Sequence, residues 1–420
     1  MEQLNPLRGR RRLMKKKVLS RRDFLKTAAI GGIGLAAGLG TRPIIASGAE
    51  KSPITILNLE PFSGAYADTG LDVSRGVRFA IDEFGGKVLG REIRLIERDA
   101  TNPSDSVRRA KEVVEKEGCK FIQVGTSSAV ALAVSEYGAK NEVIVGCHAG
   151  ADKLTGEACN PFTFRWAVPT YGAVREVVPR LIKELKVNTF YTITPEYVFG
   201  EDLLRNSKDV FKEYGKELLG NSYHPLGETE YSAIITKAQA AKADCVLFLN
   251  FGGDTVNAIK QAVNFGLKKV SKLCIVWSGG QTEFQAMGTK ILEDIWVGIQ
   301  YYHTIDTPMN KKIVEAYRKK YGVMMPYVAA SGYQQMKVML EAIKRAGSTD
   351  VKKVIAAWEG YEYEALTGRE VYRKCDHQCI KPYYTVRCKT EAEKKGPDDF
   401  AEIVGFSKNF LPCDKTGCKM

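Results

Sequence analysis

Residues 54–84 read ITILNLEPFSGAYADTGLDVSRGVRFAIDEF, and two kinds of periodicity follow each other in this stretch. The apolar run Ile54–Leu59 has the length and composition of a buried strand. From Val73 to Phe84, apolar residues recur at the spacing of an amphipathic helix. A long loop containing Pro61 lies between them. The stretch therefore predicts a strand, a loop and a helix, the unit from which α/β folds are built.

The same order continues towards the carboxyl end of the chain. Strands are predicted at 93–97, 121–124 and 143–145, with helices at 104–117 and 128–140 between them. A second series of alternating helices and strands begins near residue 172 and runs to 299. Repeated β-α order predicts parallel sheets covered by helices. We therefore expect an α/β protein with two Rossmann-like lobes.

The net charge of +13 is distributed unevenly along the 420 residues. Residues 1–49 carry eleven Lys and Arg against two acids, a net charge of +9, which leaves +4 for residues 50–420. Nucleic-acid-binding domains concentrate basic residues on the folded surface. The distribution therefore argues against a nucleic-acid partner.

The basic leader contains a recognisable export motif. Ser20-Arg21-Arg22-Asp23-Phe24-Leu25-Lys26 resembles the twin-arginine signal, and an apolar, Gly-rich run follows at 27–39. Ser47 and Ala49 are suitably placed for cleavage before Glu50. The sequence predicts a twin-arginine signal peptide over 1–49, with a retained membrane anchor as the alternative.

All ten cysteines lie after the leader, and five of them fall between 375 and 418. Disulfides are favoured in an oxidising compartment. Free thiols and a zinc site are the alternatives, although the spacings fit common zinc patterns poorly. Cys245 and Cys274 lie in apolar runs, which predicts buried thiols. Residues 391–420 are predicted to form a Cys-containing tail.

Ligands of parallel α/β sheets bind beyond the carboxyl ends of the strands. The loop Gly125-Thr126-Ser127-Ser128-Ala129 opens a predicted helix, and its hydroxyls and free N–H groups suit an anion. A helix cap without a ligand is the alternative. His148 lies on the next loop of this kind and is a further candidate for ligand contact.

Catalytic motifs are missing from the sequence. It contains no G-x-S-x-G, no G-x-x-x-x-G-K-[ST] and no H-E-x-x-H, and its four histidines are scattered. We expect neither an enzyme nor a cofactor.

Several loops together resemble one family. Pro61–Gly70, Gly125–Ala131, Tyr197–Gly200 and Ala329–Tyr333 are similar, in order and spacing, to segments of the periplasmic leucine/isoleucine/valine-binding proteins. The resemblance implies a type I periplasmic binding protein fold, with two lobes joined by three hinge crossovers. On that basis the first lobe comprises 50–168 and 300–350, and the second comprises 169–299 and 351–390. The crossovers are expected near 166–170, 298–303 and 351–358.

The resemblance also implies roles for individual residues. Thr126, Ser127, Ser128 and Ala129 would receive a ligand carboxylate, and Ala149 with its neighbour His148 would contact the polar head. Tyr66 and Tyr197 would line the apolar part from opposite lobes, and Phe251 and Gln281 would complete the site. Amino-acid binders of this family tend to carry an acid near Gln281 for the ligand ammonium group. Here either Gln281 replaces that acid, or Glu283 serves two residues later.

The function implied is that of an extracytoplasmic solute-binding component of an ABC transporter, located in the periplasm. Its ligand would be a branched-chain amino acid or a related small carboxylate or amide, captured by hinge closure, and its partner would be a membrane permease. A ligand-sensing receptor subunit for a similar solute is the alternative.

Overall fold

The computed structural model describes residues 52–420. The predicted signal peptide at 1–49 therefore lies outside the described residues. Within 52–420, no helix combines the length and the apolar character needed to cross a lipid bilayer.

Residues 52–165 form a six-stranded sheet with helices on its faces. The strands lie in the order β2-β3-β1-β4-β5-β6 and all pairs are parallel except β2–β3. Because β1, β4 and β5 pair in register, their carboxyl ends meet at one edge. The elements are β1 (Ile54–Glu60), α1 (Ala67–Glu83), β2 (Lys87–Val88), β3 (Arg91–Asp99), α2 (Pro103–Glu117), β4 (Phe121–Val124), α3 (Ser128–Lys140), β5 (Ile144–Cys147) and β6 (Thr163–Arg165).

Residues 170–299 form most of a second α/β unit, which consists of a sheet and its helices. Its strands β7 to β11 pair in parallel in the order β11-β10-β9-β7-β8. The elements are α4 (Thr170–Leu185), β7 (Thr189–Pro195), α5 (Val198–Glu213), β8 (Glu217–His224), α6 (Ser232–Ala241), β9 (Cys245–Phe248), α7 (Gly253–Asn264), β10 (Lys272–Ile275), α8 (Gln281–Met287), α9 (Thr289–Leu292) and β11 (Trp296–Ile299).

Residues 302–380 pack against the first six-stranded sheet and its helices. They form α10 (Pro308–Tyr321), α11 (Tyr327–Ala346), α12 (Val351–Trp358), β12 (Glu362–Ala365), β13 (Gly368–Tyr372) and β14 (Cys379–Ile380). Strands β12, β13 and β14 form a separate three-stranded antiparallel sheet. Helix α11 packs closely on α1 at Gly76. A Cβ at Gly76 would lie 1.9 Å from the backbone oxygen of Ala329, so the absence of a side chain there permits the close packing. We call 52–165 with 302–380 the first lobe.

The predicted boundary at 351 is wrong for residues 351–380. The Trp358 ring stacks on Phe164 of β6 with centroids 4.3 Å apart, and Trp166 donates a hydrogen bond from Nε1 to Glu370 at 2.8 Å. The apolar face of α12 is therefore buried against the first lobe, and it is not a crossover.

The last part of the chain completes the second sheet. Strands β15 (Tyr383–Cys388) and β16 (Ala401–Ser407) add antiparallel to β11 and to each other. We call 170–299 with 383–407 the second lobe. The predicted tail at 391–420 is therefore not separate, since β16 belongs to this sheet.

Disulfides hold the chain beyond β16. Cys375 pairs with Cys413, and Cys159 pairs with Cys418, both anchoring to the first lobe. Disulfides are thus confirmed for three of the five late cysteines, whereas Cys379 and Cys388 are buried thiols. Cys245 and Cys274 are buried thiols, as predicted.

Three crossing segments join the lobes at 166–169, 300–301 and 381–382. The Gln300 side chain accepts from the N–H of Val168 at 3.0 Å and donates to its carbonyl at 2.9 Å. Lys381 is fully buried, donates from Nζ to the carbonyl of Gln300 at 2.9 Å, and lies 4.2 Å from the Trp166 ring centroid. One cluster therefore ties all three crossings together. The first two agree with the predicted positions, and the third lies at 381–382 because the chain stays in the first lobe until β14.

Candidate functional site

A cavity lies where the strand-end loops of the two lobes face each other. It has a volume of about 20 Å³, close to the space that one water molecule occupies. Its walls come from both lobes: Thr69, Gly125, Thr126, Ser128, His148, Ala149, Gly150, Tyr197, Phe199, Phe251, Trp277, Tyr327 and Val328. Gly150 permits this close approach, because a Cβ there would lie 2.9 Å from both Phe199 and Trp277.

The first lobe supplies the polar side of the cavity. Thr126 donates to Oε2 of Glu60 from its N–H at 3.1 Å and from its hydroxyl at 2.6 Å. Ser128 begins α3, and its hydroxyl accepts from the N–H of Ala151 at 3.2 Å. The first N–H groups of a helix are available to an anion. This side of the cavity can therefore receive a carboxylate at the start of α3.

The second lobe supplies most of the aromatic side chains, and Tyr66 and Tyr327 come from the first lobe. The hydroxyls of Tyr66 and Tyr197 lie 2.8 Å apart across the cleft, and the Tyr66 ring is 5.7 Å from that of Phe251. Phe199 and Trp277 meet edge to face at 5.3 Å. These rings enclose an apolar space of the kind that holds a solute's hydrocarbon part.

The structure brings most of the predicted site residues together. Six of them line the cavity: Thr126, Ser128, His148, Ala149, Tyr197 and Phe251. Tyr66 contacts Tyr197 and Phe251 of the second lobe. Four predicted residues lie outside the lining: Tyr66, Ser127, Ala129 and Gln281.

Gln281 points away from the cavity and Glu283 is engaged in holding loops. Gln281 donates from Nε2 to the carbonyl of Asp398 at 3.1 Å. Glu283 accepts from the Ser278 hydroxyl at 2.7 Å and from the N–H of Gly252 at 2.9 Å. Burial raises the pKa of Glu283 to about 7. Neither residue offers an open carboxylate oxygen to this cavity.

Sequence reasoning did not predict Glu60 or several residues of the lining, three of which are aromatic. Phe199, Trp277 and Tyr327 line the cavity, and their signal was the presence of aromatic residues just after strands or at a helix start. Glu60 was missed because it reads as the end of a strand. In the sequence Glu60 is only an acid that closes an apolar run, and this position alone does not mark it as a site residue; its complete burial is seen in the structure.

Glu60 and His148 form a buried pair beside the cavity. His148 Nε2 lies 3.5 Å from Glu60 Oε1. Burial raises the pKa of Glu60 to about 8, against the opposing effect of the hydrogen bonds from Thr126. Burial lowers the pKa of His148 to about 3. At neutral pH the protonated carboxyl and the neutral imidazole are therefore favoured.

A second cavity of about 150 Å³ lies nearby between the lobes. Asp68 and Asp72 of α1 border it, and Thr282 of the second lobe donates to Asp72 Oδ2 at 2.6 Å. This hydrogen bond is another polar contact between the lobes, besides that of Tyr66 with Tyr197.

Two α/β lobes, three crossings and a cavity between opposing loops define the class of bilobal solute-binding proteins. The chain belongs to the periplasmic binding protein family, which matches residues 53–396. The predicted relationship to leucine/isoleucine/valine-binding proteins and the predicted fold are confirmed.

Three relatives illustrate this membership. An amino acid ABC transporter substrate-binding protein from Pseudomonas fluorescens Pf-5 is 40% identical, with a TM-score of 0.83 over 88% of this chain and 99% of that one. A periplasmic binding protein from Burkholderia mallei is 29% identical, with a TM-score of 0.82 over 87% and 98%. Leu/Ile/Val-binding protein homolog 7 of Brucella abortus (strain 2308) is 26% identical over 333 residues, 75% of this chain and 83% of that protein. The chain is therefore a solute-binding protein of a periplasmic family.

Proposed function

We propose that the protein is the extracytoplasmic solute-binding component of an ABC transporter and captures an apolar amino acid, or a related small carboxylate or amide. The observation that carries the proposal is the division of labour in the cavity. Polar groups of the first lobe at Thr126 and Ser128 face the aromatic rings of Phe199, Phe251 and Trp277 of the second lobe, and Tyr327 of the first lobe adds a further ring. The transporter assignment is supported by the 40% identical relative from Pseudomonas fluorescens.

Binding proceeds by hinge closure in this proposal. The volume of about 20 Å³ is too small for an amino acid, so the rings of the second lobe must separate from the first lobe before a solute enters. The solute's carboxylate then meets the start of α3 near Ser128, and Tyr197 and Phe251 close over its apolar part. The closed form is favoured only by the solute's higher affinity for it, and this form is what a permease would recognise.

The test is a binding screen with a matched pair of variants. Purified protein is titrated with amino acids, aromatic and aliphatic carboxylates and short amides, and a bound solute raises the melting temperature. Ser128→Asp puts a negative charge where the carboxylate would bind and should abolish the shift. Ser232→Asp makes the same change at the first residue of α6, outside the cavity lining, and should preserve it. Equal shifts in both variants would contradict the site.

Export by the twin-arginine pathway belongs to the same proposal. Its support is the motif Ser20–Lys26 and the basic charge before it. Arg21→Lys combined with Arg22→Lys should leave the protein in the cytoplasm, whereas a chain with the natural leader should reach the periplasm. Fractionation and immunoblotting measure the difference, and normal export of the variant would contradict the proposal.

A further inference from the structure

An acid with an unpaired oxygen lies directly behind the cavity wall. Glu60 Oε1, at the end of β1, has no hydrogen-bond partner among residues 52–420. Its other oxygen accepts both hydrogen bonds from Thr126. A buried carboxyl oxygen without a partner is costly in either protonation state, so its presence beside a ligand cavity points to a group that it binds there.

His148 makes the connection from Glu60 to the cavity. It lines the cavity, its Nε2 is 3.5 Å from Glu60 Oε1, and neither ring nitrogen has a hydrogen-bond partner within the described part of the chain. Both side chains are almost completely buried. The pair therefore has one open carboxylate oxygen and two open ring nitrogens within reach of one another.

Three other acids near the cleft are already engaged, and Asp68, which borders the second cavity, is exposed to solvent. Both oxygens of Glu283 accept hydrogen bonds from the loops of the second lobe. Asp72 is held by Arg75 and Thr282. Asp254 accepts from the N–H of Gly227.

We propose that the Glu60–His148 pair receives the ammonium group of an apolar α-amino acid whose carboxylate binds at Ser128. This inference rests on the proposed function and names its ligand class. The negative group that meets the ammonium then belongs to the first lobe. Both charged ends of the solute are captured by one lobe, and the second lobe closes over the hydrocarbon side chain.

Proton linkage follows from the pair's surroundings. The titratable groups that face it are Cys147 on β5 and Tyr327 on α11; burial raises the pKa of Cys147 to about 12 and that of Tyr327 further above its ordinary value. Both stay neutral between pH 6 and 9, and Arg165 behind Cys147 stays charged. A solute cation beside Glu60 favours the ionised carboxylate, so an ammonium-bearing solute should release a proton on binding. A solute with only a carboxylate should instead cause proton uptake.

The experiment compares matched probes. L-leucine and 4-methylpentanoate share a carbon skeleton, and only leucine has an ammonium group; L-phenylalanine and 3-phenylpropanoate form a second pair. Calorimetric titration at pH 7.5 in phosphate and in Tris gives the number of protons exchanged. Because burial raises the pKa of Glu60 to about 8, we expect the better-bound amino acid to release a substantial fraction of one proton. It should bind about tenfold or more tightly than its deaminated partner.

Two variants test whether Glu60 causes the preference for the amino acid and the release of the proton. Glu60→Gln should abolish proton release and weaken amino-acid binding about tenfold or more, while leaving the affinity for the deaminated probe within about threefold. Glu283→Gln makes the same change to the buried acid of the second lobe and should retain both the preference and the release. Thermal unfolding of each variant without solute establishes that it folds, and His148→Gln provides a second route to the same loss.

The outcomes are separable. If the amino acids bind but Glu60→Gln changes neither preference nor proton release, or if Glu283→Gln abolishes them, the inference is overturned and the proposed function stands. If the deaminated probes bind more tightly with proton uptake, the ligand class is overturned. If none of the four probes or the wider screen binds, the proposed function fails together with the inference.

Discussion

The hydroxyl pair of Tyr66 and Tyr197 gives the most direct test of hinge closure. The two oxygens are 2.8 Å apart and belong to opposite lobes, so they form this hydrogen bond only when the cleft is closed. In an open cleft each hydroxyl is solvated by water. Tyr197→Phe therefore removes a contact from the closed form and leaves the open form nearly unchanged.

The magnitude follows from what the substitution leaves behind. Tyr66 is buried in the closed form, and without its partner it loses a hydrogen bond at a cost of about 1–3 kcal/mol. For a solute that binds only the closed form, this weakens affinity by a factor of about 5 to 150. Calorimetric titration with the tightest-binding solute measures the loss, and small-angle X-ray scattering without solute should report a larger mean radius of gyration.

Two controls separate closure from the loss of any hydroxyl. Tyr223→Phe removes a hydroxyl that donates to Glu201 at 3.2 Å within the second lobe, and it should leave affinity unchanged. The double variant Tyr66→Phe, Tyr197→Phe should lose less than the sum of the single losses, by about 0.5 kcal/mol or more. Wild-type affinity and scattering for Tyr197→Phe, or strict additivity in the double variant, would refute this account of closure.

Three further predictions concern stability. Cys418→Ser breaks the bond to Cys159 and should lower the free energy of unfolding by about 2–5 kcal/mol in urea titration; under reducing conditions, variant and wild type should converge. Burial lowers the pKa of Lys381 to about 8, so between pH 8 and 10.5 the unfolded chain binds more protons and stability rises with pH. Lys381→Met should therefore fall further behind wild type in melting temperature at pH 9.5 than at pH 7, and a constant difference would contradict the buried charge. Gly76→Ala forces α1 and α11 apart and should cost about 1–3 kcal/mol in thermal unfolding, whereas Gly396→Ala, with open space around it, should cost almost nothing.

The order of the helices and strands in both lobes could be predicted because it follows from the local periodicity of apolar residues. Ile54–Glu60 and Ala67–Glu83 appear almost where the apolar pattern of 54–84 puts a strand and a helix. The return of the chain from the first lobe to the second sheet, at β15, could not be predicted in the same way. Strand β15 is a short apolar piece whose partner β11 lies more than eighty residues earlier, and such pairing depends on packing between distant segments.

The candidate site was only partly predictable for the same reason. Ser128 and His148 follow predicted strands, so the rule for parallel sheets brings them to one edge. Gln281 also follows a strand, but the direction of its side chain depends on a hydrogen bond to Asp398, which lies between β15 and β16. Glu60 could not be recognised, because its importance comes from complete burial beside His148 and the sequence does not report burial of a single acid.

The bond between Cys375 and Cys413 closes a ring of chain that passes between the lobes twice. It leaves the first lobe at 381–382, runs through β15 and β16, and returns from Ser407 to Cys413. Arg373 fastens the return span by donating to the carbonyl of Leu411 at 2.8 Å. Six residue steps reach at most about 20 Å when fully stretched. The ring therefore acts as a tether of fixed length, which sets an upper limit on how far the edge strand of the second lobe can swing from the first.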